Sequence, residues 1–244
     1  MGKITKKIAN FLDEKFPNHV ILGDQALAAK KYDSAVVHYA ELEKKKDLNQ
    51  YVCFNWGMAL MGLKNYEEAI KRFRQSIEFE EDFLDSYLQW GHSLYMLKHY
   101  KQADDIYQKI LAKDPAYPPL FFYWAINKEA TKSYEEALKL YLKSLEITPT
   151  DVLSSNGIGK IYYNKGDYDS AIEYFSKAIE INPKFAPAYL SIAIIQNKRG
   201  ITDSALAQLK KAIDLDQTAK ILAKQSGEFN NLEDNEAYQD IMES

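Results

Sequence analysis

Lys165-Gly166-Asp167-Tyr168-Asp169-Ser170-Ala171, running on through Ile172, Tyr174, Phe175, Ala178 and Ile179 to Pro183, is a pattern that recurs along the chain. Shifted by 34 residues in either direction, the pattern returns: Ala171 becomes Ala137, Ala103, Ala69 and Ala35 going back, and Ala205 going forward. A tyrosine stands three residues before five of these alanines, at Tyr32, Tyr66, Tyr100, Tyr134 and Tyr168, and Thr202 takes its place before the sixth. A fixed period of this size marks a repeat architecture, in which each unit packs only on its neighbours.

Numbered from residue 16, the eighth positions are Gly23, Gly57, Gly91, Ala125, Gly159 and Ala193, all small. The seventh are Leu22, Trp56, Trp90, Trp124, Ile158 and Ile192, and the twenty-fourth are Tyr39, Phe73, Tyr107, Tyr141, Phe175 and Leu209, all large. Pro115, Pro149 and Pro183 close three units, while Asp47, Glu81 and Gln217 stand there in the others. This pattern resembles the tetratricopeptide repeat. The resemblance implies an all-α fold, a right-handed α-solenoid of antiparallel helix pairs. Its six repeats would occupy 16–49, 50–83, 84–117, 118–151, 152–185 and 186–219, flanked by a lead-in helix over 1–15 and a capping helix with an acidic tail over 220–244.

Composition agrees with one continuous array. Apolar residues make up 46% and charged residues 27%, a globular balance that argues against disorder. The single cysteine, Cys53, excludes an internal disulfide framework. No apolar run has the length of a signal core or a membrane span, so a cytoplasmic location and no membrane span are expected. The net charge of −4 resides in the tail from Lys220 onward, and a neutral array with an acidic end makes nucleic acid a poor partner.

Within each unit, the first helix is expected over about fourteen positions and the second from the tyrosine. In the second unit this reads Tyr51 to about Leu63, a turn at Lys64-Asn65, then Tyr66 to about Phe79. Gly166 and Gly200 punctuate two of the turns, as helix C-termini favour. The small eighth residue and the alanine of the second helix are expected to face each other at the crossing. Ile4, Ile8, Phe11 and Leu12 give the lead-in an amphipathic spacing, which reads as a cover for the first repeat, or with Lys3, Lys6, Lys7 and Lys15 as a membrane-surface helix. After Ser226-Gly227 a last segment carries Phe229, Leu232, Tyr238 and Ile241, read as a small packed helix or a partly mobile tail.

Nothing points to catalysis. His19, His38, His92 and His99 are scattered, and no His, Cys, Asp and Glu set has metal-ligand spacing. Gly157-Ile158-Gly159-Lys160 lies inside a first helix and lacks the other glycines of a phosphate loop. Acidic pairs such as Glu67-Glu68 and Glu135-Glu136 read as solvated faces. No enzyme activity, cofactor or metal is expected.

A second stripe on the first helices is the informative feature. Positions two, five, nine and twelve lie roughly 130° from the packing direction at about 100° per residue. In the tetratricopeptide family this stripe lines a concave groove for peptides or partner helices. The resemblance therefore assigns to the groove Tyr51, Phe54, Met58 and Met61; Asp85, Leu88, His92 and Tyr95; Pro119, Phe122, Ile126 and Glu129; Leu153, Asn156, Lys160 and Tyr163; and Pro187, Leu190, Ile194 and Asn197. The carboxylate clamp of chaperone-tail adaptors is not matched, because Phe54, Leu88 and Phe122 stand where polar groups are needed. The expected partner is a protein or peptide with an apolar or amphipathic segment. Two readings remain open for Phe54, Leu88 and Phe122: an open groove, or a narrow one in which they pack on the neighbouring repeat. The expected function is a non-enzymatic protein-interaction adaptor. The alternative is a homo-oligomeric scaffold in which the N-terminal helix or the C-terminal tail of one copy fills the groove of another.

Overall fold

In the computed structural model, residues 18–243 are described. The lead-in helix expected over 1–15 lies outside them. The described residues form helices in tandem antiparallel pairs. The first three pairs are α1 (His19–Ala28) with α2 (Tyr32–Lys44), α3 (Gln50–Gly62) with α4 (Tyr66–Phe79), and α5 (Leu84–Met96) with α6 (Tyr100–Lys113). The next three are α7 (Pro118–Ala130) with α8 (Tyr134–Ile147), α9 (Val152–Asn164) with α10 (Tyr168–Ile181), and α11 (Ala186–Lys198) with α12 (Thr202–Leu215). α13 (Thr218–Ser226), a 3-10 turn over Asn230–Leu232 and α14 (Glu236–Glu243) complete the described chain. It divides into two compact units, the first ending at Tyr123 and the second beginning at Trp124, within α7.

Some helix starts carry short polar side chains that satisfy the otherwise orphaned first N–H groups. Asn49 Oδ1 accepts from Val52 N at 3.0 Å before α3, and Asp151 Oδ1 accepts from Leu153 N and Ser154 N before α9. The first helices of the pairs end by one device. The fifteenth position is left-handed in every pair: Lys30, Lys64, Lys98 and Lys132 have φ between 56° and 62°, while Gly166 and Gly200 have 78° and 74°. At Gly166 the turn closes with Gly166 N on Tyr163 O (2.9 Å) and Asp167 N on Tyr162 O (3.0 Å), which returns the chain antiparallel.

The core follows the 34-residue lattice. Ala35, Ala69, Ala103, Ala137, Ala171 and Ala205 are all 0% exposed, and the large twenty-fourth residues from Tyr39 to Leu209 are no more than 1% exposed. The packing contact at the small eighth position differs from expectation. A Cβ built on Gly57 would meet Phe73 Cε1 at 2.5 Å, on Gly23 Tyr39 at 2.6 Å, on Gly91 Tyr107 at 2.5 Å and on Gly159 Phe175 at 2.6 Å. The nearest atoms are thus the ring of position twenty-four and not the alanine of position twenty. A flat ring laid against bare backbone buries more apolar surface than two facing methyl groups would. The fourth repeat has Ala125 in place of this glycine, and its ring, Tyr141, lies against Gly157 of the next repeat, 2.5 Å from the Cβ that glycine lacks.

In the second unit the chain after α13 is packed. Gly227 takes φ 68°, and Phe229 (1% exposed), Leu232, Tyr238 and Met242 enter one cluster with Leu190, Ala193, Leu206, Leu209 and Ile213. Phe229 stacks on Tyr238 with centroids 6.2 Å apart.

Candidate peptide-binding groove

In the first unit, α3 carries the most apolar part of the second stripe. Tyr51 is 58% exposed and meets the Phe83 ring edge-on at 5.5 Å, while Phe54 is half-buried against Phe83 (5.3 Å) and Phe73 (5.9 Å). Phe54, Met58 and Met61 open onto a cavity of about 510 Å³ whose other walls are Leu27 and Ala28 of α1, Lys30, Tyr32, Asn55 and Gly62. Asn55 is held in place by Asp24, which accepts its Nδ2–H at 3.0 Å and the Tyr39 hydroxyl at 2.7 Å. Burial first, and then this carboxylate, push the Tyr39 phenol well above its ordinary range. The glycine of position thirteen, Gly62, lets the Tyr32 ring approach to 2.6 Å of where its Cβ would be.

On α5 the stripe is mixed. Leu88 is 3% exposed and belongs to the interior. His92 and Tyr95 are half-buried, with the imidazole 4.9 Å from the Tyr123 ring and 6.0 Å from that of Tyr95. Burial among rings lowers the His92 pKa, and its Nδ1 has no hydrogen-bond partner. Phe122, half-buried, meets Tyr123 edge-on at 5.5 Å.

In the second unit Ile126 is half-buried, Asn156 is 6% exposed with its Oδ1 unpartnered, and Lys160 is exposed. Leu190, 8% exposed, is part of the terminal core cluster, and Ile194 packs on the edge of that cluster. Lys160, Tyr163 and Asn164 from α9, Ser191 and Ile194 from α11, with Glu129, Phe175, Ser226 and Glu228, line a second cavity of about 300 Å³. The structure therefore brings Phe54, Met58 and Met61 together in one cavity and Lys160 and Ile194 in another, while Leu88, Asn156 and Leu190 lie in the interior.

Sequence reasoning missed three wall segments: Leu27 and Ala28, the turn residues Lys30 and Tyr32, and the segment from Ser226 to Glu228. Leu27 stands at the twelfth position of the first repeat and does have the stripe's register, whereas Ala28, Lys30 and Tyr32 do not, and the segment from Ser226 to Glu228 lies beyond the six repeats. The first two come from the preceding repeat, and the last reaches the cavity only because Gly227 turns the chain.

Among the described residues, no group of three or more His, Cys, Asp and Glu side chains could hold a metal ion. Burial pushes the Cys53 thiol up to about 11, which leaves little of the thiolate that nucleophilic chemistry requires. No described helix is long and apolar enough to cross a membrane.

Known proteins agree with this architecture. Models of the tetratricopeptide repeat match residues 50–83, 85–117 and 153–185, and a further TPR repeat model matches 130–166, together about half of the chain. No curated protein sequence matches significantly. Among solved structures, a crystal structure of MamA is 22% identical with a TM-score of 0.57, over 69% of this chain and 92% of that one. YrrB, described as a TPR protein with an unusual peptide-binding site, is 22% identical with a TM-score of 0.53, over 76% and 96%. Cut9-Hcn1, an APC/C hetero-tetramer, is 15% identical with a TM-score of 0.69, over 91% of this chain and 47% of that one. The repeat models and the paired helices with their buried alanine lattice together show that this chain belongs to the tetratricopeptide repeat family.

Proposed function

We propose that the protein is a non-enzymatic cytoplasmic adaptor that holds an apolar or amphipathic segment of a partner protein against the second stripe of its first helices. The observation that carries this reading is the cavity of about 510 Å³ beside α3, walled by Leu27, Phe54, Met58 and Met61. Flexible methionine side chains adapt to varied apolar partners, and aromatic residues anchor interfaces. YrrB, similar in fold at 22% identity, is a TPR protein with an unusual peptide-binding site of its own.

Replacing Met58 and Met61 together by glutamate tests the reading, because both are half-buried at the cavity rather than in the interior. A partner captured by the wild type is expected to be lost from a variant with an unchanged circular dichroism spectrum, and a synthetic peptide from that partner is expected to compete. Equal capture by both proteins would overturn the groove reading.

The scaffold alternative gains no support from the tail. Of Phe229, Leu232 and Ile241, the side chains that would enter a second copy's groove, the first two are 1% and 6% exposed and the third is half-buried against the same cluster of their own chain.

A further inference from the structure

The end of the second stripe in the second unit is already occupied by the chain itself. Tyr163 and Asn197 stand at the twelfth positions of the fifth and sixth repeats, and both bind Glu228. Tyr163 donates its hydroxyl to Glu228 Oε1 at 3.0 Å, Lys198 Nζ lies 2.6 Å from Oε2, and Asn197 Nδ2 donates to the Glu228 backbone oxygen at 2.6 Å. Asn197 is 6% exposed and is further held by Asn231 through bonds of 2.8 and 3.2 Å. Such a set, a cation and a hydroxyl on the carboxylate and a side-chain amide on the main-chain carbonyl, is what recognises an acidic residue of an extended peptide.

One helical turn back along the same faces, Lys160 on α9 and Ser191 and Ile194 on α11 line the open cavity of about 300 Å³. Lys160 is exposed and makes no ion pair among the described residues, although Glu129 shares the lining. Glu129 accepts the Tyr141 hydroxyl at 2.8 Å. Glu228 forms the far wall of this cavity with its side chain 29% exposed, whereas Phe229 beside it is 1% exposed.

We propose that Lys160, Tyr163, Asn197 and Lys198 form a docking subsite for an acidic segment of a partner protein, and that Glu228 occupies its inner half in cis as a built-in competitor. The subsite rests on the reading that the second stripe binds peptide, and it accounts for a charged end opposite in character to the methionine-lined cavity of α3. A partner carboxylate first meets Lys160 at the cavity mouth and then displaces the Glu228 side chain from Lys198 and Tyr163, leaving the buried segment beyond it in place.

The test uses the full chain and a fluorescein-labelled Glu-Glu-Leu-Glu-Glu peptide, with Gln-Gln-Leu-Gln-Gln as the neutral control, read by fluorescence anisotropy at low salt. Glu228→Gln removes the competitor and is expected to tighten the acidic peptide about two- to fivefold, the scale of one partly exposed ion pair. Adding Lys198→Ala is expected to abolish that gain, and Lys160→Ala to weaken binding in either background. No gain on Glu228→Gln, or the same gain for the neutral peptide, would overturn the proposal. A second readout needs no variant: the Lys160 and Lys198 ammonium resonances of the wild type are expected to shift together on titration with the acidic peptide, and unmoved resonances at saturation would overturn it as well. Because the methionine variants lie in the first unit, failure here and failure of the groove reading are told apart.

Discussion

Two glycines of the same chain are retained for unrelated reasons, and each reason has its own signature. Gly57 lies in the interior of α3, where alanine would ordinarily stabilise a helix by about 1 kcal/mol. Its missing Cβ would lie 2.5 Å from a fully buried Phe73 ring, so the ring has to shift. Overpacking of this kind costs about 1–3 kcal/mol, so Gly57→Ala is expected to destabilise by up to about 2 kcal/mol. Gly200 has open space around its Cβ direction but a φ of 74°. Gly200→Ala is expected to cost about 1–2 kcal/mol through backbone conformation alone. Urea midpoints measure both, and a crystal structure would show the Phe73 ring displaced only in the first. At His92, burial lowers the pKa from its ordinary 6.5, so the folded state disfavours the proton that the unfolded chain accepts. Stability is therefore complete above about pH 6.5 and falls as the pH drops below it toward the depressed folded value. The urea midpoint of the wild type should decline over that window, and His92→Gln should flatten the decline.

At the scale of elements, the turn and the terminal segment show how much each packed pair depends on its ends. Four of the six fifteenth positions carry lysine, a residue that does not announce positive φ; the turn at Lys64-Asn65 was placed by the repeat register, whereas Gly166 and Gly200 announced theirs by residue type. The lysines are held there by closing hydrogen bonds, such as Asn65 N on Leu60 O at 2.9 Å, which outweigh a local preference of about 1 kcal/mol. Beyond α13, Phe229 inserts a whole ring into the cluster built by α11 and α12. Phe229→Ala is expected to cost about 3–5 kcal/mol, measured as a loss of hydrogen-exchange protection in α14 and the end of α12.

For the whole molecule, nearest-neighbour packing limits how far such damage travels. The Phe229→Ala variant should leave protection in α3 and α4, within the other compact unit, unchanged. A uniform loss across the chain would instead mean that the repeats unfold as one cooperative block. The 34-residue lattice by itself determined the helix pairs, their boundaries within about a residue in the second repeat, and the burial of all six alanines, because these depend on local periodicity repeated in phase. Periodicity gives the direction in which a side chain leaves its helix, and Phe54, Met58, Lys160 and Ile194, which share that direction, line cavities. It carries no information on what a neighbouring element lays over that direction. Leu88, Asn156 and Leu190 share the stripe with them and are nevertheless buried. The ring laid against each helical glycine such as Gly57, and the Glu228 carboxylate held between Tyr163 and Lys198, come from residues 16 to 65 positions away. Contacts at those separations depend on how the helices pack in three dimensions, and only the tertiary structure decided them.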